Sequence, residues 1–273
     1  MSEVGRSGRI QGGWIRGGVM ALGVIVLVCG TTSVSAAQRF DQRFRGSRGF
    51  TPGVEGEGFA GPSGRAFTFC RVAYRQVRTE PLGTGWTTDY PDADRNMQLI
   101  LDEFTGMSPN IRGTNAVQLE DPRMFQHPLI YISEPGYWTI TEQGALSLRN
   151  YLLKGGFLIF DDFEADQWYN MDEQLVRALP ERQWVELDDT HPIFGAFFYV
   201  EDIYVPHPSV AVEPRYMAIF EDNDPSKRIM VLANHNSDLA EYWEWSTSGL
   251  FAVDPTNDAY RLGVNYIIYA LTH

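Results

Sequence analysis

Between residues 128 and 160 the chain reads PLIYIS, then, after EPGYW, TITEQGALSLRNYLL, then a double glycine and FLIF. The two flanking runs are apolar without alternation, the pattern of strands buried on both faces. The stretch between them places Ala145, Leu148 and Leu152 on one face of a helix. Thr139 and Glu142 stand at the spacing of a capping box, and Gly155 and Gly156 close the helix. A buried strand, a covering helix and a second buried strand restrict the chain to few folds. Parallel strands need such crossovers, and a sheet buried on both sides needs helices on both sides.

The rest of the chain repeats this alternation from residue 65 onward. AFTFCRVAY (66–74) predicts a first strand. Met97, Ile100, Leu101 and Phe104 predict a helix with Asp94 as its N-cap and Gly106 as its stop. NMDEQLVRALP (170–180) predicts a short helix with acids in its first turn and a proline stop. QWVEL (183–187), YMAIF (216–220) and RIMVLAN (228–234) predict strands, and 257–271 a closing helix. The expected fold class is α/β: a three-layer sandwich around a mostly parallel central sheet. In such sheets ligands sit beyond the carboxyl ends of the strands, near a switch in strand order. Glu134–Trp138 and Asp161–Glu164 both follow central strands directly.

The first 64 residues have another character. Arg6, Arg9 and Arg16 precede an apolar run from Val19 to Cys29, and small residues follow in SVSAAQ. This is the layout of a secretory signal, read as residues 1–37 with cleavage after Ala36 or Ala37. The alternative is an uncleaved N-terminal anchor, the chain's one expected link to a membrane. Residues 38–64 carry seven glycines and the arginines Arg39, Arg43, Arg45 and Arg48, and read as a flexible linker. Residues 65–273 form the single expected domain. The expected location is periplasmic or extracellular.

The signal segment carries three arginines against Glu3, a net of +2, so its removal takes the formal charge from −13 to −15. That charge argues against nucleic acid or an anionic lipid surface as a partner. Cys70 is then the one cysteine left, which precludes an internal disulfide; in FTFCRVAY it reads as a small buried hydrophobe.

The chemistry-bearing residues gather in four places. In GGFLIFDDF a buried strand ends in Asp161 and Asp162, with Glu164 and Asp166 close behind. Two adjacent carboxylates raise one another's pKa and attract a hard cation, so they are candidates for acid/base work or for divalent-cation binding. The plainer role is that one caps a following segment and the other is solvated. In GWTTDYPDAD, Asp92 and Asp94 fit turn and cap chemistry, whereas Asp89, beside Trp86 and Tyr90, suits a polar or carbohydrate-like ligand. Among the histidines, His191 with Glu201 and Asp202 is the strongest group, its plainer role being a structural corner bonded to backbone. In AEYWEWS, Trp243 and Glu244 belong either to a stacking platform or to a core face. Glu134 completes the candidates. No serine elbow and no phosphate-cradling glycine loop is present in the sequence.

The stretches GWTTDYPDADRN (85–96), 128–163, HPIF (191–194) and LGVNYIIYALTH (262–273) resemble the bacterial domain of unknown function 4159 family. The resemblance implies a fold similar to class I glutamine amidotransferases, a flavodoxin-like three-layer sandwich. HPIFGAFFYVEDIYVP looks like a segment of the trehalose-utilisation-type branch of that superfamily. In the amidotransferases the strand after the double glycine presents a nucleophilic cysteine, and here that place falls at about Asp162. The missing thiolate argues against glutaminase activity. The preferred expectation is an exported, non-catalytic module that binds a polar small molecule or carbohydrate, with or without a divalent cation. The alternatives are a hydrolase or lyase using Asp161 or Asp162, and a cell-envelope assembly scaffold that docks a protein partner.

Overall fold

The computed structural model describes residues 67–77, 84–111 and 113–273. The signal (1–37) and linker (38–64) read from the sequence lie outside the described residues.

The first strand, β1 (Cys70–Val72), is shorter than the sequence suggests, and Arg75–Gln76 leaves it as β2. Helix α1 (Asp92–Thr105) leads to β3 (Asn115–Val117), and β4 (Leu129–Ser133) to β5 (Trp138–Thr139). Then follow α2 (Glu142–Leu153), β6 (Phe157–Asp161), α3 (Gln167–Ala178), β7 (Val185–Glu186), β8 (Arg215–Phe220) and β9 (Ile229–His235). Helices α4 (Leu239–Glu244) and α5 (Val253–Thr272) complete the domain.

Seven strands form one sheet in the order β3-β1-β4-β6-β9-β8-β7, and β2 pairs with β5 in a small separate ribbon. The first five are parallel, while β8 runs antiparallel to both its neighbours. Numbered along the chain, the five parallel strands lie in the order 2-1-3-4-5, the flavodoxin-like arrangement. Strand order reverses between β1 and β4, because the chain moves from β1 outward to β3 and then returns to the other side. The carboxyl ends of β1 and β4 therefore flank a switch-point crevice.

The unbroken apolar runs follow from two cores. Leu129, Tyr131, Phe157, Ile159 and Leu232 face a core shared with α1, α4 and α5. Ile130, Ile132, Leu158, Phe160 and Val231 face the other, shared with α2 and α3. Each strand feeds both cores at alternate positions, which keeps the run apolar until its carboxyl end, where Ser133, Asp161 and Asn234 are buried. Full burial of one such Leu, Ile or Phe contributes about 1.5–3 kcal/mol. Cys70 is free and fully buried, as expected, and burial pushes its thiol pKa up.

Several local expectations are corrected. Asp94 does not cap α1: the helix begins at Asp92 after Pro91, and Asp94 is buried inside its first turn. Thr141, not Thr139, caps α2 by accepting from the Gly144 N–H at 2.9 Å. Thr139 is already committed to the ribbon with Arg75. Helix α3 starts three residues earlier than predicted, at Gln167, so Asp172 and Glu173 are not in its first turn. Asp172 instead bonds Arg182 and Trp184. Helix α5 starts at Val253, because Pro255 sits in its first turn, where no N–H donor is needed. No helix among the described residues is long and apolar enough to cross a membrane.

Candidate functional site

Asp161, the last residue of β6, is wholly buried, on the α1–α4–α5 face that Phe157 and Ile159 also occupy. Its Oδ2 accepts from Tyr131 Oη at 2.6 Å and from the N–H groups of Leu239 (2.9 Å) and Ala240 (3.3 Å). Its Oδ1 accepts from Asn234 Nδ2 at 3.0 Å. Four donors fill both oxygens. Burial raises the pKa to about 6, against the pull of the Tyr131 and Asn234 hydrogen bonds. At neutral pH Asp161 is thus a buried anion that ties β6 to β4, β9 and the start of α4. Of the two roles anticipated for the pair, this is the capping one, exerted on a helix nearly eighty residues downstream.

Asp162 turns the chain. Its φ of 60° lies in the left-handed region, which costs a non-glycine residue free energy. Its N–H donates to Ser237 O, and its Oδ2 accepts from Ser133 Oγ, both at 3.0 Å. The side chain remains half-buried. Three more acidic residues share this backbone conformation, Asp89 (φ 60°), Glu134 (φ 48°) and Asp222 (φ 55°), the last in the turn between β8 and β9. Glu134 directly follows β4 and Asp162 directly follows β6, while Asp89 lies in the longer segment between β2 and α1.

Glu134 is a clamp. Its Oε2 accepts from the Gly85 N–H and its Oε1 from Thr88 Oγ1, both at 2.7 Å. Gly85 needs its φ of +71°, and a Cβ there would lie 2.4 Å from Gln76 Nε2. Arg71 holds the same loop from beneath. It is fully buried on β1, pairs with Asp94 Oδ1 at 2.7 Å, and donates from Nη1 to the carbonyls of Trp86 and Thr88. This loop carries Asp89.

Asp89 is 6% exposed, and its Oδ2 is buried without a hydrogen-bond donor. One oxygen each of Asp89, Asp162 and Asp238 lie within 4.8 Å of one another. Asp238 follows β9 and caps α4, with its Oδ1 accepting from the Glu241 N–H at 3.0 Å. Asp89 also belongs to a second group of the same tightness with Glu241 and Glu244. All three aspartates have raised pKa values, first from burial and then from the charges of nearby carboxylates. For Asp162 the adjacent charges of Glu134 and Asp161 add to burial. Glu244 shifts upward as well, through burial and then Glu241. Raised pKa values mean that the cluster holds protons more tightly than free carboxylates do, and a cation competes with those protons. The donor set is carboxylate oxygen throughout, with no His or Cys, which suits magnesium, calcium or manganese rather than zinc.

The structure therefore divides the residues singled out in the sequence. It brings Asp162 and Glu244 each into a separate group with Asp89, and uses Asp161 and Glu134 to hold the frame. Trp86 is half-buried, its ring 5.6 Å from that of Tyr90. Trp243 is not a platform: it is 2% exposed and packs on Phe69, Tyr131 and Tyr260. His191 is not at the crevice either. Its ring contacts Phe220 and Tyr269, beside the amino ends of β6 and β9, and its Nδ1 accepts from the Ile193 N–H at 3.2 Å. This is the structural-corner role. It lines a cavity of about 350 Å³ at that edge of the sheet. Size alone does not make that cavity the better site, because the acidic side chains converge at the opposite edge. Glu201 and Asp202 are exposed and outside both carboxylate groups; Asp202 accepts from the Tyr204 N–H. Sequence reasoning missed Arg71, Asp238 and the part played by Glu241. Asp238 carried a readable signal, a cap residue three positions before a glutamate.

The chain is thus a flavodoxin-like three-layer α/β protein with an acidic site beyond the carboxyl ends of its parallel strands. Residues 68–271 match the family described as Domain of unknown function (DUF4159), and the chain belongs to that family. Comparison with curated proteins gave no match.

Proposed function

We propose that this chain is a binding module in which Asp89, Asp162 and Asp238 hold a hard divalent cation at the mouth of the crevice. The cation in turn orients a polar, hydroxyl-rich ligand, for which half-buried Trp86 and Glu244 supply flanking contacts. The observation that carries this reading is the Asp89 oxygen: buried, without a donor, and set among carboxylates from two strand ends. Exposed acidic clusters are ordinary. A buried carboxylate without a donor is costly unless a proton or a cation compensates it.

The resemblance to amidotransferase-like sandwiches supports the same reading. The nucleophile position would be Asp162, a carboxylate in place of a thiol, which favours binding over glutaminase chemistry. The hydrolase or lyase reading rests on Asp162 alone, since both oxygens of Asp161 are occupied. In this proposal residues 1–37 export the protein, and residues 38–64 tether the domain in the periplasm or outside the cell.

The test is thermal unfolding of the full chain, wild type beside Asp162→Asn, in EDTA and then with calcium, magnesium or manganese. A ligand of the native state raises stability by about 2.7 kcal/mol at a hundred times its Kd. The expected result is a raised midpoint for wild type and none for Asp162→Asn. A wild type that responds to no cation overturns the reading.

A further inference from the structure

The two carboxylate groups share one member. Asp89 belongs to one group with Asp162 and Asp238 and to another with Glu241 and Glu244, the ligand oxygens of each group lying within 4.8 Å of one another. From this sharing we infer that the site is built for two hard divalent cations, with Asp89 as the bridging carboxylate. The inference rests on the cation-site reading above and deepens it.

Three observations converge on it. The first is charge. The two groups together hold five carboxylates, and one divalent cation offsets only two of those charges. Arg71 lies behind Asp89 and lowers its pKa, but its Nε is already engaged by buried Asp94. The second is the state of Asp89 itself. A bridging carboxylate needs oxygen that the protein has not already satisfied, and Asp89 Oδ2 is buried with no donor from the protein, while the same side chain is in hydrogen-bond contact with Glu244 of the second group. The third is rigidity. Asp238 and Glu241 are joined by the cap of α4, and Glu244 lies one turn further along the same helix. Asp162 is fixed by Ser133 and by its own left-handed turn, and the Asp89 loop by Arg71 and Glu134. Ligands from two strand ends, one loop and one helix are thereby held in place before any ion arrives. Paired divalent ions in proteins stand about 3.5–4 Å apart, a spacing that one carboxylate spans.

The test is manganese binding to the full chain after EDTA treatment, by equilibrium dialysis with metal analysis and by electron paramagnetic resonance. Wild type is expected to bind two manganese ions per chain and to show the narrowed hyperfine pattern of a spin-coupled pair. Glu244→Gln, at a half-buried position where the shape is kept, is expected to bind one ion with an uncoupled spectrum. Asp89→Asn is expected to lose the coupled signal, with circular dichroism confirming its fold. One ion per wild-type chain, or two retained by Glu244→Gln, overturns the bridged pair and leaves the single-cation reading standing. No manganese bound, and none of calcium or magnesium, overturns both.

Discussion

Tyr131 and Asp161 lie on neighbouring parallel strands, offset diagonally by two residues, both wholly buried, with the phenol donating to the carboxylate across 2.6 Å. A charge-assisted bond of this length is among the stronger neutral-to-ion contacts in a protein interior. Tyr131→Phe keeps the ring packing against Phe69 and Trp243 and removes one of the four donors. We expect a loss of about 1.5–3 kcal/mol, read as a lower urea midpoint with an unchanged slope. A loss below about 0.5 kcal/mol would show that this bond adds nothing beyond packing.

The same carboxylate gives the metal-free protein a pH dependence. Its pKa is raised from 3.8 to about 6, so the native state holds the Asp161 proton more tightly than the unfolded chain does. A raised acid contributes stability that is complete below 3.8 and is lost as pH rises through about 6. The shift corresponds to about 3 kcal/mol. Buried histidines with lowered pKa values, His127 and His235 among them, act in the opposite direction. The informative quantity is therefore the difference between wild type and Asp161→Asn in EDTA. That stability gap should narrow as pH rises from about 4 to about 7. A gap that stays constant or widens would contradict the assignment.

How far the sequence could be read depended on range. Strands β4, β6 and β9 were legible because both their faces are buried and nothing interrupts the apolar run. The double glycine and Gly106 were legible because chain stops act locally. Asp94 was misread because its partner, Arg71, is twenty-three residues upstream, and a buried ion pair leaves no periodic trace. Thr139 was misread because the two-residue ribbon that occupies it is set by tertiary contact. At the site, Asp89 and Asp162 were visible as acids following strands. That Asp161 faces inward follows from strand parity only once the register with β4 is known. Glu134 reads from sequence as a ligand, and only the position of Gly85 and Thr88 makes it a clamp.

The Arg71–Asp94 pair separates fold from site. Arg71→Met leaves a fully buried carboxylate without its cation and should cost about 3–5 kcal/mol. Adding Asp94→Leu removes that stranded charge and should restore most of the loss by urea unfolding. It does not restore the two carbonyl anchors of the Asp89 loop. The cation-induced rise in midpoint should therefore stay reduced in the double variant. A double variant that responds to calcium or manganese as wild type does would show that Arg71 does not position Asp89.

Glu134 holds that loop from the other side, and its substitution distinguishes a clamp from a ligand. Glutamine has one acceptor oxygen, so Glu134→Gln keeps the Gly85 N–H bond only by turning its amide nitrogen to the Thr88 hydroxyl, which must then accept instead of donate to a carboxylate. We expect a cost of about 1–3 kcal/mol. Cation affinity, measured by calorimetry, should fall by about 10-fold to 100-fold, as for residues that orient ligands. Complete loss, equal to that of Asp162→Asn, would instead make Glu134 a ligand.

Gly263 sets the distance between α5 and the helices above the site. A Cβ at this position would lie 2.4 Å from Met97 Cε and 2.6 Å from Trp243 Cζ2. The methionine tip can move, but the Trp243 ring is fixed between Phe69, Tyr131 and Tyr260. Gly263→Ala therefore pushes on α4, the helix that carries Glu241 and Glu244. Helix propensity favours alanine by about 1 kcal/mol. Overpacking costs about 1–3 kcal/mol, so the expected net change is destabilising. Glu241 and Glu244 lie within the displaced helix, Asp238 is tied to it only through its cap, and Asp162 directly follows β6, so the loss should fall chiefly on the Glu241–Glu244 group. Manganese titration of Gly263→Ala should show the weaker of two binding events reduced while the stronger persists. A more stable variant with unaltered binding would mean that the Trp243 ring yields and that the close approach of α5 has no bearing on the site.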